Sequence, residues 1–443
     1  MISRRALLGG GAAVAMASLA SRRSSASDRA PYGGSLTLHA PWPLGAIDPH
    51  HIDDAAAAFF GDAVFESLYA LDREGAVVPC LAEGEPEADG PSLRVRLRTG
   101  VAFASGAPVD ARVAAASIAR ARSRGAAAWL SEIPPPRAAD GAIVFPMQDP
   151  SRLARALASP LVAVVPARFS PERPDGTGPF RARFEAGSLI LTRNTQAAGG
   201  PALLDEIAVH PATDLVTSLR AFEGGADDVG WLGSFLHEPR QGALAFDAGA
   251  VGWAILRTGS EAGALDVPGV AQALADAVPH AALAPLVVGA PWQPGTAHWT
   301  GTPCDLLVRD DSPWLVEVAR AVAVALSSAS HEVTARPVPS SELARRRATR
   351  AFSVLLDFAR PAGPRALGAL VGLTTADDPA SAAALLRRPP RSEMPARTAT
   401  RTLRIGVVGE VRLQGGRAPD VVLPPSAWGS GVDWGSAHRT RRA

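Results

Sequence analysis

The chain has 443 residues, of which 47% are hydrophobic, 20% are charged and 5% are aromatic. It carries 44 Lys and Arg residues and 43 Asp and Glu residues, so its formal net charge is +1. This globular composition excludes a disordered or collagen-like chain, and the balanced charge gives no electrostatic reason to expect a nucleic-acid partner. The length allows two or three domains around a large core.

The amino terminus has the pattern of an export signal. Arg4 and Arg5 precede an apolar run from Ala6 to Ala20, which is too short to span a bilayer comfortably. We predict that residues 1–34 are a signal peptide of the twin-arginine type and a flexible leader. An uncleaved start of the chain is the alternative. Since no later stretch is long and apolar enough to span a membrane, we expect a soluble protein in the periplasm or another extracytoplasmic space.

The rest of the chain alternates between strand patterns and helix patterns. In the first part, strands are predicted at 35–39, 93–98, 142–145, 161–165, 187–193 and 204–210, and helices at 54–69, 110–122, 150–158 and 212–223. In the second part, strands are predicted at 253–256, 305–308, 332–338 and 352–357, and helices at 270–277, 314–328 and 340–349, with a helix and an exposed connection in 375–400. Strands that alternate with helices predict α/β sheets.

Six short segments follow one another in an order that carries more information than any one of them. They are Ala46-Ile-Asp-Pro-His-His51, the stretch from Asp62 to Glu83, Leu93 to Phe103, Ser105 to Val113, Gly176-Thr-Gly-Pro-Phe-Arg181, and Leu191-Thr-Arg-Asn194. This succession resembles the family 5 extracellular solute-binding proteins of ABC transporters, the dipeptide-, oligopeptide- and nickel-binding group. The resemblance covers most of residues 35–235. The segments are mainly turns and helix ends, so they indicate the fold more directly than the ligand.

The resemblance implies an α/β fold with two lobes, of the periplasmic-binding-protein type II, and an extra small domain on the first lobe. The expected first lobe comprises residues 35–58, 171–250 and about 400–443, the extra domain 59–170, and the second lobe 251–399. Such a receptor closes on a solute, delivers it to the membrane permease subunits of an ABC importer, and is not an enzyme. We expect a monomer with no cofactor, no metal and no catalytic residues.

The resemblance also implies where the ligand lies. In peptide-binding members the stretch after the Asp-Pro turn runs beside the ligand, and the matching residues here are Asp53, Asp54, Ala55 and Ala56. Asp53 is the strongest candidate for a polar ligand contact. A helix cap is an equally good interpretation of Asp53, because Asp is a preferred residue before a helix.

The second lobe departs from the peptide-binding pattern. Phe358 lies near the aromatic residue of the family, but the family's acidic anchor for the peptide amino group falls near Ala362. Asp357 is either a shifted substitute for that anchor or a solvent-exposed residue at a strand end, and the sequence favours the second interpretation. The solute is therefore expected to be a short peptide or a similar small polar molecule.

Tryptophans are the other candidate ligand contacts. The chain has nine Trp residues and two Tyr residues. Trp42 and Trp231 lie beside loops rich in Gly and Pro, where an indole ring suits ligand stacking. Packing in the core or between lobes is the more common use of tryptophan, so both interpretations stay open.

Three further patterns have simple alternatives. His50 and His51 beside Asp53 and Asp54 suggest a metal cluster, but solvated loop residues are the default interpretation. Cys80 and Cys304 are expected to be two buried free thiols. Two alternative functions remain: a scaffold or sensor that has the receptor fold without a ligand and, with less support, a secreted hydrolase.

Overall fold

The computed structural model describes residues 32–40, 42, 44–231, 241–286, 288–289, 299, 302–389, 399–428 and 431–440. The predicted signal peptide lies outside these residues, apart from the end of the leader at 32–34. Within the ranges given, no helix is long and apolar enough to cross a membrane.

One sheet of eleven strands runs through the molecule. Its strands are β1 (Ser35–Ala40), β8 (Phe180–Glu185), β9 (Ser188–Arg193), β10 (Glu206–Pro211), β11 (Val229–Trp231), β12 (Leu244–Thr258), β13 (Val288–Gly289), β14 (Cys304–Arg309), β15 (Val333–Val338), β16 (Val354–Ala359) and β17 (Ile405–Arg417). The strand order is β15-β14-β16-β12-β17-β11-β1-β10-β9-β8, and β13 pairs with β17.

The sheet contains two parallel units. In the first lobe β1 pairs in parallel with β10 and β11, and in the second lobe β14 pairs in parallel with β15 and β16. The two long antiparallel strands β12 and β17 connect these units, because β12 pairs with β16 and β17 pairs with β11. The lobes are therefore joined through main-chain pairing in one sheet.

The helices pack on the sheets, and most lie near their predicted positions, whereas the short helix at 280–283 and most of the helix at 365–377 were not predicted. They are α1 (Ala55–Val64), α2 (Ala111–Arg122), α3 (Pro150–Ala156), α4 (Leu215–Glu223), α5 (Val270–Ala277), α6 (His280–Leu283), α7 (Pro313–Leu326), α8 (Ser340–Thr349), α9 (Arg365–Asp377) and α10 (Pro379–Arg387). Asp110, Asp149 and Ser312 cap α2, α3 and α7 with their side chains. Capping by a short polar side chain satisfies backbone N–H groups at the helix start, which fixes where these helices begin.

A second, smaller hydrophobic core lies within the stretch expected to form the extra domain. Here β5 (Ser92–Arg96) and β7 (Ala142–Phe145) form a four-stranded sheet with β4 (Glu87–Asp89) and β6 (Arg137–Ala139). Its core includes Val95, Ile118 and Phe145. Ala362, Val371 and Ala382 of the second lobe also belong to this core, so the region of α9 and α10 packs on the extra domain.

Short elements complete the fold. β2 (Tyr69–Leu71) pairs with β3 (Val77–Pro79), and β18 (Val421–Val422) pairs with β19 (His438–Arg439). Turns of 3₁₀-helix are formed by Pro160–Val162, Ser260–Leu265, Ala284–Leu286, Thr400–Thr402 and Trp434–Ser436.

A strand and a helix in the first part of the chain differ most from their predictions. The strand predicted at 161–165 is wrong, because the chain forms a 3₁₀ turn at Pro160–Val162 whose start is capped when the Ser159 side chain accepts a hydrogen bond from the Leu161 amide. The helix predicted at 54–69 ends at Val64, and its last predicted residue, Tyr69, belongs to β2. The Gly176-Thr-Gly segment explains this end, since Gly178 N donates to Val64 O at 2.9 Å.

The two cysteines are both free thiols, as predicted. Both are partly exposed instead of fully buried. Burial raises the pKa of Cys80 to about 12 and the pKa of Cys304 to about 11. Both side chains are therefore neutral thiols at physiological pH.

Candidate functional site

The segment between β1 and α1 is held in a tight loop by its own side chains. Asp54 accepts hydrogen bonds from the backbone N–H groups of Ala57 and Asp48, both at 2.8 Å. Asp54 is therefore the cap of α1, and the interpretation of Asp53 as the helix cap is wrong. Because its neighbour satisfies the helix start, the carboxylate of Asp53 is available for contacts elsewhere.

A buried cluster supports this loop from the extra domain. Arg120 donates to both carboxylate oxygens of Asp48, at 2.9 and 2.6 Å, and to Nδ1 of His50 at 2.7 Å. His50 Nε2 donates to Ala163 O at 2.8 Å. This pattern requires a neutral imidazole with its proton on Nε2, and burial lowers the pKa of His50 to about 4.

The two histidines therefore differ in environment. His50 is fully buried, so the expectation of a solvated loop residue is wrong for it. His51 has a side chain that is 40% exposed, and its ring nitrogens lie 3.5 Å from Asp48 and 3.6 Å from Asp53. A hydrogen bond to Asp53 raises the pKa of His51. In the part of the chain that the structure describes, no group of three or more His, Cys, Asp or Glu side chains is arranged to hold a metal ion.

An open cavity of about 700 Å³ lies between this loop and the second lobe. Its volume falls in the range of small-molecule sites, which is roughly 300–1,000 Å³. Both lobes supply its walls. The lining residues are Gly45, Ala46, Asp48, His51, Asp53, Asp54, Ala55, Ala56, Pro171 and Glu172 from the first part of the chain, and Arg309, Asp311, Ser340, Leu343, Ala344, Arg347, Ala348 and Asp357 from the second lobe.

A row of four charges crosses the cavity wall. Arg347 Nη1 lies 2.6 Å from Asp53 Oδ2 and 3.2 Å from Asp357 Oδ2, and Arg257 Nη1 lies 3.5 Å from the same oxygen of Asp357. Burial acts to raise the pKa of Asp53, but the hydrogen bond from His51 and the charge of Arg347 lower it well below its usual range. The charge of Asp357, followed by that of Asp53, raises the pKa of Arg347.

Asp357 is buried in the middle of the sheet. It is 4% exposed and lies in β16, which pairs with β14 on one side and β12 on the other. The expectation of a solvent-exposed strand end is therefore wrong. Its partners Arg347 and Arg257 compensate a charge that would otherwise be strongly unfavourable at this depth.

A second ion pair lies on the same wall. Arg309 Nε and Nη2 donate to the two carboxylate oxygens of Asp311, at 2.5 and 2.8 Å. Ser340 Oγ donates to the same carboxylate at 2.7 Å. The cavity thus presents cationic and anionic groups side by side, a lining suited to a polar solute.

Arg360 connects the end of β16 to the loop of the first lobe. Its backbone N–H donates to Ile52 O at 3.0 Å, and its guanidinium donates to Pro49 O. The side chain is 4% exposed. Burial lowers the pKa of Arg360, whereas the charge of Asp54 raises it. The second lobe thereby holds the backbone of the loop that carries Asp53.

The structure brings some of the candidate ligand contacts together and separates others. Asp53, Asp54, Ala55 and Ala56 all line the cavity. Trp42 and Trp231 lie outside its lining, in an aromatic cluster in which Trp42 stacks on Phe59 with ring centroids 4.0 Å apart. Phe358 is 2% exposed and belongs to the main hydrophobic core.

The aromatic cluster contains two unusual donors. The rings of Trp42 and Trp231 are 5.1 Å apart, and the Nε1 atoms of both are buried with no hydrogen-bond partner among the described residues. A buried donor without an acceptor is normally destabilising by about 1–3 kcal/mol, so such groups are uncommon in folded proteins. Trp42 follows β1 and Trp231 is the last residue of β11, so both lie at the carboxyl edge of the first parallel unit.

The cationic residues of the cavity were not predicted from the sequence. Arg347 belongs to the run Arg345-Arg346-Arg347, and such runs usually form a solvated helix face. The helical pattern of 340–349 placed this run on α8, but only the pairing of the two lobes directs Arg347 towards Asp53. Arg309 ends β14 at the carboxyl edge of a parallel unit, a position that favours ligand sites in α/β sheets.

These features define a class of protein: a two-lobe α/β receptor with a polar cavity between its lobes. A family profile described as "Bacterial extracellular solute-binding proteins, family 5 Middle" matches residues 76–302, about half of the chain. The chain therefore belongs to the family 5 bacterial extracellular solute-binding proteins, as predicted. It is a solute-binding protein of ABC importers and a binding receptor, not an enzyme.

Solved structures of the same architecture extend over nearly the whole chain. The oligopeptide-binding protein AppA from Bacillus subtilis, in complex with a nonapeptide, is 12% identical with a TM-score of 0.68, covering 93% of this chain and 100% of that one. AgaA from A. tumefaciens R10, in complex with agropinic acid, is 16% identical with a TM-score of 0.69, covering 93% and 99%. NikA from Staphylococcus aureus, in complex with Ni(L-His)₂, is 14% identical with a TM-score of 0.65, covering 91% and 99%.

At these identities the likeness shows the fold, and the predicted fold class is confirmed. A comparison with curated protein sequences gives no match. The three bound molecules differ widely in chemistry, which agrees with the general rule that a fold does not fix a ligand.

Proposed function

We propose that this receptor binds a short peptide or a similar small polar solute in the cavity between its lobes, by lobe closure, and delivers it to the membrane permease subunits of an ABC importer. The observation that carries the proposal is the cavity itself, about 700 Å³ in volume and lined by charged side chains from both lobes. A ligand that contacts both walls favours the closed arrangement of the lobes, because its affinity for that arrangement is higher.

Asp53, Asp54, Ala55 and Ala56 form the wall of the first lobe in this proposal. Alanine side chains leave space beside the two carboxylates, so a solute can approach the backbone at the start of α1. Trp42, Trp231 and Phe358 have a supporting role, because they pack behind the wall. The proposed lobe boundaries are those given above. The second core, formed mostly by residues 68–164, supports an extra domain, although Phe59, Phe60 and Val64 of α1 belong to the main core.

The relatives support a polar solute and leave its chemistry open. AppA binds a peptide, AgaA binds agropinic acid and NikA binds a nickel–histidine complex in their respective structures. We also propose that residues 1–34 direct export by the twin-arginine route, so that the receptor works outside the cytoplasm as its family does.

A thermal-shift screen of the purified chain tests the binding proposal. The solutes are amino acids, di- to pentapeptides, opines, sugars and nickel–histidine complexes. A ligand that binds only the folded state raises the unfolding midpoint by mass action, by about 2.7 kcal/mol of stabilisation at a hundredfold excess over Kd. A shift with one class, lost in the Asp53→Asn variant, supports the proposal. Flat results from a cooperatively unfolding sample contradict it and favour a ligand-less scaffold.

A further inference from the structure

Asp53 and Arg347 approach each other from opposite walls of the cavity. Asp53 lies in the loop before α1 of the first lobe, and Arg347 lies on α8 of the second lobe, 294 residues further along the chain. Their side chains are 20% and 24% exposed, so both remain accessible from the cavity. The Arg347 guanidinium donates to the Asp53 carboxylate at 2.6 Å. This ion pair links the two lobes at the surface that a solute would contact.

The pair is the accessible end of a neutral row of charges. Two carboxylates, Asp53 and Asp357, alternate with two guanidiniums, Arg347 and Arg257. The inner members are more deeply buried, with side-chain exposures of 5% for Asp357 and 11% for Arg257. Charges in such a partly desolvated site interact more strongly than charges in water, so each depends on an opposite partner.

The row therefore restricts which solutes can separate Asp53 from Arg347. A neutral solute that moves between them leaves two arginines, Arg347 and Arg257, to share the single carboxylate of Asp357 in the second lobe, and leaves Asp53 with His51 alone. A solute with a single positive charge compensates Asp53 but leaves the second-lobe side with two arginines and one carboxylate. A solute with a single negative charge compensates Arg347 but leaves Asp53 with only the partly exposed His51, 3.6 Å away. A solute that carries one positive and one negative group replaces both partners and keeps the row neutral.

We propose that Asp53 and Arg347 are specificity-determining residues for a solute that carries both an ammonium group and a carboxylate. Asp53 accepts hydrogen bonds from the ammonium, and the guanidinium of Arg347 donates to the carboxylate. Arg309 on the same wall is held by Asp311, whose carboxylate also accepts a hydrogen bond from Ser340, so Arg309 is a weaker candidate for the carboxylate. This inference depends on the proposed function and adds the charge type of the solute.

Isothermal titration calorimetry with chemically matched solutes tests the inference. The probes are amino acids and alanine-containing di- and tripeptides, each in a free form, an N-acetylated form and a C-amidated form, with maltose as the neutral solute. The free forms are expected to bind, and each blocked form to bind at least about tenfold more weakly, which corresponds to the loss of one charged hydrogen bond.

Variants of the two residues make the test specific. Asp53→Asn and Arg347→Gln are each expected to weaken binding of the free forms by at least about tenfold. Asp53→Asn should have little further effect on N-acetylated solutes, and Arg347→Gln little further effect on C-amidated solutes, because each of those has already lost the same contact. Asp305→Asn is the matched control, since it breaks an exposed ion pair with Arg336 that lies outside the cavity lining.

The possible results of these experiments distinguish the inference from the proposed function. Blocked solutes that bind as tightly as free ones, or binding of maltose alone, overturn the inference and leave the proposed function in place. Equal losses of affinity in Asp53→Asn for free and N-acetylated solutes overturn it as well. If no solute of any class binds to a sample that unfolds cooperatively, the proposed function itself fails, and the inference fails with it.

Discussion

Replacement of Arg360 by Met is predicted to destabilise the protein strongly, because this residue is a buried cation at the contact between the lobes. Its guanidinium donates to Pro49 O, and its charge lies close to the carboxylate of Asp54. Methionine keeps an unbranched apolar stem of similar length, so the main losses are the hydrogen bond and the charge, not the packing.

The loss in the free energy of unfolding can be estimated from the groups that lose a partner when Arg360 is replaced. Pro49 O loses a donor in a buried position, which destabilises by about 1–3 kcal/mol. Asp54 loses a compensating charge, and removal of one member of a buried charged pair typically totals about 3–5 kcal/mol. We therefore expect a decrease of about 3–5 kcal/mol in the free energy of unfolding at pH 7.

The loss should also depend on pH. Burial raises the pKa of Asp54, and the charge of Arg360 lowers it, so the substitution should raise the folded-state pKa further. A carboxyl whose folded-state pKa is raised destabilises the fold above that pKa and has no effect below its unfolded pKa. The difference between variant and wild type is therefore predicted to be larger at pH 7 than at pH 4.

Urea denaturation of both chains at the two pH values measures this difference. Arg336→Met is the control, because Arg336 is an exposed residue whose ion pair with Asp305 lies at the surface, and its midpoint should match the wild type. A loss below about 1 kcal/mol for Arg360→Met, the size of a surface ion pair, would refute the reasoning. If the loss of stability is the same at pH 4 as at pH 7, the predicted contribution of Asp54 is wrong.

Three further predictions concern other parts of the chain. His50 is buried and neutral with a pKa of about 4, so its protonation in the unfolded state should remove about 3 kcal/mol of stability as the pH falls from about 6.5 to about 4. His50→Gln should flatten that part of the stability curve in urea titrations, and an unchanged slope would contradict the assignment. A Cβ at Gly176 would lie 1.9 Å from Val64 O, so Gly176→Ala should destabilise by at least about 1–3 kcal/mol. Gly84→Ala, whose Cβ would meet nothing within 4 Å, should unfold at nearly the wild-type midpoint, and equal midpoints for the two variants would disprove the close approach. Changing Arg4 and Arg5 together to Lys should keep the protein in the cytoplasm on cell fractionation, whereas normal export would exclude the twin-arginine route.

Local sequence patterns predicted the bounds of helices that depend mainly on their own residues. The helices predicted at 270–277 and 340–349 have the same bounds in the structure, and the helix predicted at 110–122 differs by one residue, because Asp110 is its cap. Short polar residues stand at the starts of two of these helices, Asp110 and Ser340, whereas 270–277 follows Gly269 and is indicated by Ala271, Leu274 and Ala275 at helical spacing.

Only residues 253–256 of the two long strands between the lobes were predicted, and the rest was missed for a physical reason. The first half of β12 is mostly exposed or half-buried. β17 alternates between half-buried and buried residues only from Glu410 to Gln414, and glycines interrupt the pattern on both sides, so neither strand gives a strong signal over its length. Their main-chain groups are satisfied by pairing with each other and with β11 and β16. Strands that depend on distant partners rather than on their own side chains give a weak local signal.

The candidate site was also predicted only in the part that a local sequence pattern indicates. The resemblance indicated the stretch from Asp53 to Ala56, and these residues do line the cavity. The partner of Asp53 is 294 residues away, so no local pattern could identify Arg347. Asp357 lies in a strand whose residues are all buried, and its role depends on two arginines from other elements.

A crystal structure of the chain with the tightest solute from the screen is the decisive test of the proposed site. We predict that the solute lies in the cavity between Asp53 and Arg347, in contact with both lobes. The ammonium and carboxylate groups of the solute should face these two side chains. A solute bound elsewhere, with the direct contact between Asp53 and Arg347 intact, would show that the proposed site is wrong.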